Sequence, residues 1–141
     1  MIRYRYHLIS AIVISTILLI TMAMMDVFMQ HTHLTLLLIN IDFLVDPSKT
    51  PLALEILIHI MIGISIYIIF LIIYHISKLI YQLSYLFLMI TFILLYPLLN
   101  FIAQRSIFQF SWIEYGLWII AHIIFSCLMA WAIPFFSKKK H

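Results

Sequence analysis

The chain has 141 residues, of which 66% are hydrophobic and 9% charged, with a formal net charge of +3; its mean hydropathy is +1.18 and its pI about 9.1. A soluble domain carries charge on about a quarter of its residues, so this composition excludes an ordinary water-soluble enzyme or carrier and points to an integral membrane protein. Nucleic acid is excluded as a partner, because the Lys and Arg residues sit in flanks and loops and form no basic face interleaved with aromatics.

The first apolar run extends from Leu8 to Phe28, behind the basic flank MIRYRYH. It exceeds the roughly 7–15 residues of a signal-peptide core, and TMAMMDVFMQ offers no small-x-small cleavage site, so it reads as a retained helix. A hydrocarbon core of about 30 Å needs about 20 apolar residues in a helix. Three further runs meet that length: Leu52 to His75, Leu83 to Ala103 and Tyr115 to Ile133. Between the first and second runs, LTLLLINIDFLV (Leu34 to Val45) is too short to span and too apolar to lie in water. It is expected to be an interfacial or partly re-entrant segment of the first outer loop. Pro47 and Pro51 break the chain after it, and Pro51 suits a helix start, where its missing N–H costs least. The later links, HISKLIYQ and AQRSIFQFSWIE, are short, which makes successive helices antiparallel neighbours. Pro97 predicts a kink toward the end of the third helix, and Gly63 lets another helix approach the second.

Arg3, Arg5, Lys78, Lys138, Lys139 and Lys140 fall on one side of these spans, against Lys49 and Arg105 on the other. By the positive-inside rule both termini are cytoplasmic. All the acids, Asp26, Asp42, Asp46, Glu55 and Glu114, lie on the opposite, outer side. Acids contribute little to topology, so their clustering needs another cause. The expected architecture is an all-α integral membrane bundle of four antiparallel helices, N-in and C-in, in a single domain over residues 1–141.

The acids mark the candidate site. Glu55, His59 and Gly63 share one helix stripe at i, i+4, i+8, which places His59 roughly 10 Å below the outer boundary. Glu114, Trp118 and His122 repeat the pattern on the fourth helix. Asp26 and Gln30 end the first helix on a common face, and Tyr96, Asn100 and Gln104 do the same on the third. Charged groups in hydrocarbon face the bundle interior and find partners. The pattern therefore predicts an outward-facing polar chamber lined by Asp26, Glu55, His59, Asn100, Glu114 and His122. Such a set serves either as interhelical hydrogen bonds that hold the bundle together or as a site for a ligand or lipid headgroup.

His31, His33, His59 and His122 with the carboxylates supply ligand types suited to zinc, iron or manganese. The spacing argues against a recognised centre. EILIH puts three residues between Glu55 and His59, where the di-iron bundle pattern has two, and there is no H-E-x-x-H. No cofactor is assigned, and a divalent metal stays open. Cys127 is the single cysteine, which excludes an internal disulfide and reads as a small buried hydrophobe. The inner half of the spans is close to uniformly apolar, which fits a cup better than a conducting path.

The run PSKTPLALEILIHIMIGISIYIIFLIIYHISKL, followed by YLFLMITFILLYPLLNF, resembles the YqhR-like group of small four-helix membrane proteins of Gram-positive bacteria. The shared features are an outer loop with proline, a G-I-x-I second helix and a third helix ending in proline; the chain has fewer glycines and tryptophans than that pattern. The resemblance implies a multi-pass location in a bacterial cytoplasmic membrane and supplies no catalytic residues.

Together these features predict a non-enzymatic binding or accessory protein, whose partner is a lipid of the bilayer, another membrane protein or a second copy of the chain. The alternative is a small transporter or a metal-dependent membrane enzyme using Glu55, His59, Glu114 and His122. The two differ in geometry: a catalytic or metal site requires these side chains to converge, whereas a scaffold lets each find its own partner.

Overall fold

The computed structural model describes residues 4–137, and among these all regular structure is helical. Five helices follow in order: α1 (Tyr4–Met29), α2 (Leu34–Leu38), α3 (Leu52–Ile76), α4 (Lys78–Ile102) and α5 (Trp112–Ser137). The four long ones are each long and apolar enough to cross a membrane. They pack as a ring in which α1 meets α3 and α5, α4 meets α3 and α5, and α3 also touches α5. Arg3 and Lys138, Lys139 and Lys140, which carry much of the orientation expected from the sequence, lie outside the described residues.

Local chemistry explains the helix ends. Ser77 alone separates α3 from α4, in an extended conformation (φ −155°, ψ 122°). Its N–H donates to Ile73 O, its carbonyl accepts from Tyr81 N, and its hydroxyl accepts from Ile80 N at 3.3 Å. One serine thus closes one helix and caps the next. The link expected around Lys78 to Gln82 is instead the first turn of α4, because long polar side chains at a helix end keep their heads in water while the stem stays apolar. α1 ends at Gln30, whose φ of 59° is the left-handed conformation that terminates many helices.

α4 runs unbroken through Pro97. Proline has no N–H, so the carbonyl four residues earlier, Ile93 O, loses its helical partner. The Tyr115 hydroxyl of α5 donates to that carbonyl at 3.1 Å, and nearby the Trp118 indole N–H donates to Phe92 O at 3.0 Å. The proline thereby frees one acceptor, Ile93 O, that fastens α4 to α5.

The core is layered along the bundle. At the end that carries the Ser77 link, called the hinge end below, Phe70, Tyr74, Tyr81 and Tyr85 pack ring against ring between α3 and α4, and Tyr81 is buried. At the same end His7 Nδ1 lies 3.0 Å from the Tyr67 hydroxyl, joining α1 to α3. Mid-bundle, Gly63 faces Ser15 of α1 so closely that a Cβ there would overlap the Ser15 side chain. Trp118, Tyr96, Met22 and Met129 are fully buried. The outward faces carry exposed apolar side chains such as Phe87, Leu94 and Phe101.

The segment Leu34 to Val45 folds back onto the bundle. Leu34, Leu37, Ile39 and Ile41 are buried in the core, and α2 packs on α1. Its apolar residues thus cover the end of the bundle formed by the C-termini of α1 and α4 and the N-termini of α3 and α5, called the loop end below.

Candidate functional site

Each carboxylate at the loop end has a distinct set of partners. Asp26, on the last turns of α1, holds the start of α2: its Oδ1 accepts from Thr32 Oγ1 (2.6 Å) and Leu34 N (2.9 Å), and its Oδ2 from Thr35 N (2.8 Å). It therefore meets free N–H groups of a helix start from outside that helix, an arrangement favoured by the helix dipole as well as by hydrogen bonding. Glu114, in the first turn of α5, accepts from His33 N (3.2 Å) and from the Tyr96 hydroxyl (3.2 Å). It ties the first loop, α4 and α5 together.

Arg105 organises the other half. Its guanidinium pairs with Glu55 of α3, while its backbone N–H and that of Gln104 both donate to Asp42 Oδ2 at 3.0 Å. Asp42 is fully buried, and Arg105 Nε lies 4.0 Å from the same oxygen. Asn40 Oδ1 accepts from Asp42 N at 3.0 Å, which fixes the turn that carries both residues. Asn100 donates through Nδ2 to Tyr96 O, within its own helix.

His59 and His122 stand apart from this network and line a cavity. His122 is buried between Trp118 and Phe92, with ring centroids 4.4 and 4.1 Å away. Its Nδ1 lies 2.8 Å from Trp118 O, and a carbonyl accepts only, so Nδ1 carries the proton. His59 is buried with Nε2 unpartnered.

The cavity is a slot of about 660 Å³ between α3 and α4, with Trp118, His122 and Phe125 of α5 behind it and residues 38–41, 43 and 44 at its loop end. Its walls are mainly Ile, Leu and Phe, running from Ile58 to Ile73 on α3 and from Ser84 to Leu99 on α4. Several wall residues are also strongly exposed, Phe87 by 73%, Ile62 by 53% and Ile69 by 53%, so the slot opens sideways from the bundle. Its size falls in the range of small-molecule pockets, about 300–1,000 Å³.

The six residues singled out in the sequence therefore divide. His59 and His122 line one cavity; Asp26, Glu55, Glu114 and Asn100 are not among its lining residues and bind loops and helix ends instead. Among the described residues no three His, Cys, Asp or Glu side chains come together as a metal-ligand group. Cys127 is exposed on α5 rather than packed inside. Two participants, Arg105 and Asn40, were not singled out from the sequence. Arg105 carried a signal, being one of only two cations on the side that holds all the acids. Asn40 carried none beyond its place in an apolar segment.

No protein-family model, curated protein or solved structure matches the chain.

Proposed function

We propose that the chain is a multi-pass membrane protein with both termini in the cytoplasm, and that it binds a lipid in the slot between α3 and α4 as a non-enzymatic binding or accessory protein. The observation that carries this reading is the slot itself: apolar along its length, open to the side, and covered at one end by the folded-back loop. In a bilayer such an opening faces acyl chains, and a void of this size cannot hold water without polar partners.

Membrane insertion is supported by the four long apolar helices and by their exposed Leu, Ile and Phe side chains, since a helix apolar all round is a core element or a membrane span. Orientation is supported by the excess of Lys and Arg at the hinge end and the termini. A bacterial cytoplasmic membrane is the location implied by the resemblance to the YqhR-like group, and membership of that group is part of the same proposal. The alternative of a transporter or metal-dependent enzyme needs Glu55 and Glu114 as ligands or proton carriers, whereas both are engaged at the loop end with Arg105, His33 and Tyr96.

Native mass spectrometry of the protein released from lipid nanodiscs tests the proposal. Thr91 lines the slot from α4, and its hydroxyl bonds only to Phe87 O of its own helix, so Thr91→Trp fills the slot without removing a tertiary bond. Wild-type protein should retain lipid at a defined stoichiometry, and Thr91→Trp should lose it at unchanged melting temperature. Equal retention by the two proteins, or none by either, would contradict lipid binding in the slot.

A further inference from the structure

The slot is not open evenly along its length. On α3 and α4 its exposed wall residues are Ile62, Ile69, Phe87 and Thr91. Ile69 and Phe87 lie on the hinge side of their helices' midpoints, and Ile62 and Thr91 within two residues of those midpoints. Nearer the loop end the walls His59 and Leu99 are buried. Residues 38–44 roof that end, with Asn40 and Ile41 buried and Phe43 and Leu44 exposed on the roof. The mouth therefore runs from mid-bundle toward the hinge end.

A lipid that enters sideways inserts its chain and leaves its head at the water interface. From Lys78 to Phe87 is nine residues along α4, about 14 Å at 1.5 Å per residue, within the roughly 15 Å of hydrocarbon in one leaflet. A chain anchored at the hinge end thus reaches the mouth directly. A chain anchored at the loop end meets the roof first. A membrane-spanning helix, about 10–12 Å wide with its side chains, would run into the same roof, so the slot suits a flexible chain better than a helix of another protein.

Charge separates the two ends in the same sense. All five acids lie at the loop end, where Lys49 pairs with Asp46 and Arg105 with Glu55. An anionic head there would meet carboxylates, with both cations already engaged. The hinge end holds Arg5 near the start of α1 and Lys78 at the start of α4, both exposed, and no acidic side chain. Lys78 stands six residues beyond Ser84, the wall residue of α4 nearest that end, which is about 9 Å along the helix. Attraction between surface cations and an anionic head acts over about a Debye length, roughly 8 Å at physiological salt. It requires no contact inside the slot.

We propose that the slot takes the acyl chain of an anionic phospholipid from the leaflet at the hinge end, tail toward the roof, with Lys78 among the cations that draw its head. In the orientation proposed above this is the cytoplasmic leaflet. This rests on the lipid-binding reading above and adds the leaflet and the charge of the head.

Depth-resolved photolabelling tests both additions. Full-length protein in phosphatidylcholine vesicles is exposed to phosphatidylglycerol carrying a diazirine either near the ester or at the end of one acyl chain, and to phosphatidylcholine carrying the same chains. Labelled positions on α3 and α4 are then quantified. The diazirine near the ester should label the hinge side of the slot, around Ile73 and Ser84, and the terminal one its loop side, around Ile62 and Leu95. Phosphatidylglycerol should label the slot about fivefold more than phosphatidylcholine, the size of one lysine's attraction for an anionic surface. Lys78→Gln should lower that excess without changing labelling by phosphatidylcholine, and Thr91→Trp should abolish labelling of the slot by every probe. The reverse order of depths would overturn the hinge-end leaflet. Equal labelling by the two heads would overturn the anionic head, and an excess unchanged in Lys78→Gln would overturn the part given to Lys78; both leave lipid binding intact. Labelling of the slot no greater than of the other helix faces by every probe would overturn the lipid-binding reading itself.

Discussion

Arg105 and Glu55, 50 positions apart in the chain, form an ion pair across the loop end of the bundle. The Glu55 side chain is 3% exposed and that of Asp42, which accepts from the Arg105 backbone N–H, is not exposed at all. One arginine therefore fastens the α4–α5 link to both α3 and the first loop. Removing one member of a buried pair leaves the other charge uncompensated and typically costs about 3–5 kcal/mol. Arg105→Ala should destabilise the protein in nanodiscs by that order, read as a lower melting temperature. Arg105→Ala combined with Glu55→Gln should recover part of the loss, and a melting temperature unaffected by Arg105→Ala would show that the pair is not formed in the membrane.

Asp26 predicts a local effect rather than a global one. Its two oxygens hold the Thr32 hydroxyl and the N–H groups of Leu34 and Thr35, and loss of a capping acceptor costs about 0.5–2 kcal/mol. In Asp26→Ala, amide hydrogen exchange should speed up over residues 32–38 while α3 and α5 keep their protection. Asp26→Asn retains one acceptor oxygen and should fall between the two.

At Gly63 the constraint is steric. Any Cβ would overlap the Ser15 side chain, and overpacking a well-filled contact costs about 1–3 kcal/mol. Gly63→Ala should destabilise the bundle by that order, and Ser15→Ala in the same chain should recover only part of it, because the Ser15 Cβ also stands in the way. Gly116, whose added Cβ meets nothing within 4 Å, gives the control: Gly116→Ala should leave stability unchanged or slightly raised, since alanine favours helix.

The turn at Asp46 responds to acid. Hydrogen bonds from the Ser48 hydroxyl and N–H, with Lys49 alongside, hold the Asp46 carboxyl below the usual carboxylate range. A depressed pKa means that the ionised form is favoured in the folded turn. Its contribution is complete above the ordinary aspartate pKa and disappears as pH falls through the lowered value. Hydrogen exchange at Ser48 and Lys49 should therefore rise, after correction for intrinsic rates, only at strongly acidic pH. In Asp46→Asn the acid-dependent change should be absent.

How much of this was legible in the sequence follows from the range of each interaction. The four long helices were, because apolar length is a local property: α3 begins at Leu52 as expected and ends one residue beyond His75. The start of α4 at Lys78 rather than Leu83 was not, since Ser77 acts as both cap and link only when two helices meet there. That His59 and His122 both turn to the bundle interior was legible from helical periodicity. Their separation from Glu55 and Glu114 did not, because it depends on loop groups such as the Arg105 side chain and the His33 N–H, which no periodicity places. The slot was least legible of all: it arises where two apolar helix faces fail to meet, and a gap leaves no mark in either sequence pattern.

The account as a whole turns on what fills that slot in a bilayer. An electron cryomicroscopy structure of the protein in nanodiscs made from native lipid extract, with a rigid binder to add size, would show it directly. The account predicts tubular density between α3 and α4, running from Asn40 toward Ile73. Helices α3 and α4 closed against each other, or a helix of another chain in the slot, would contradict it.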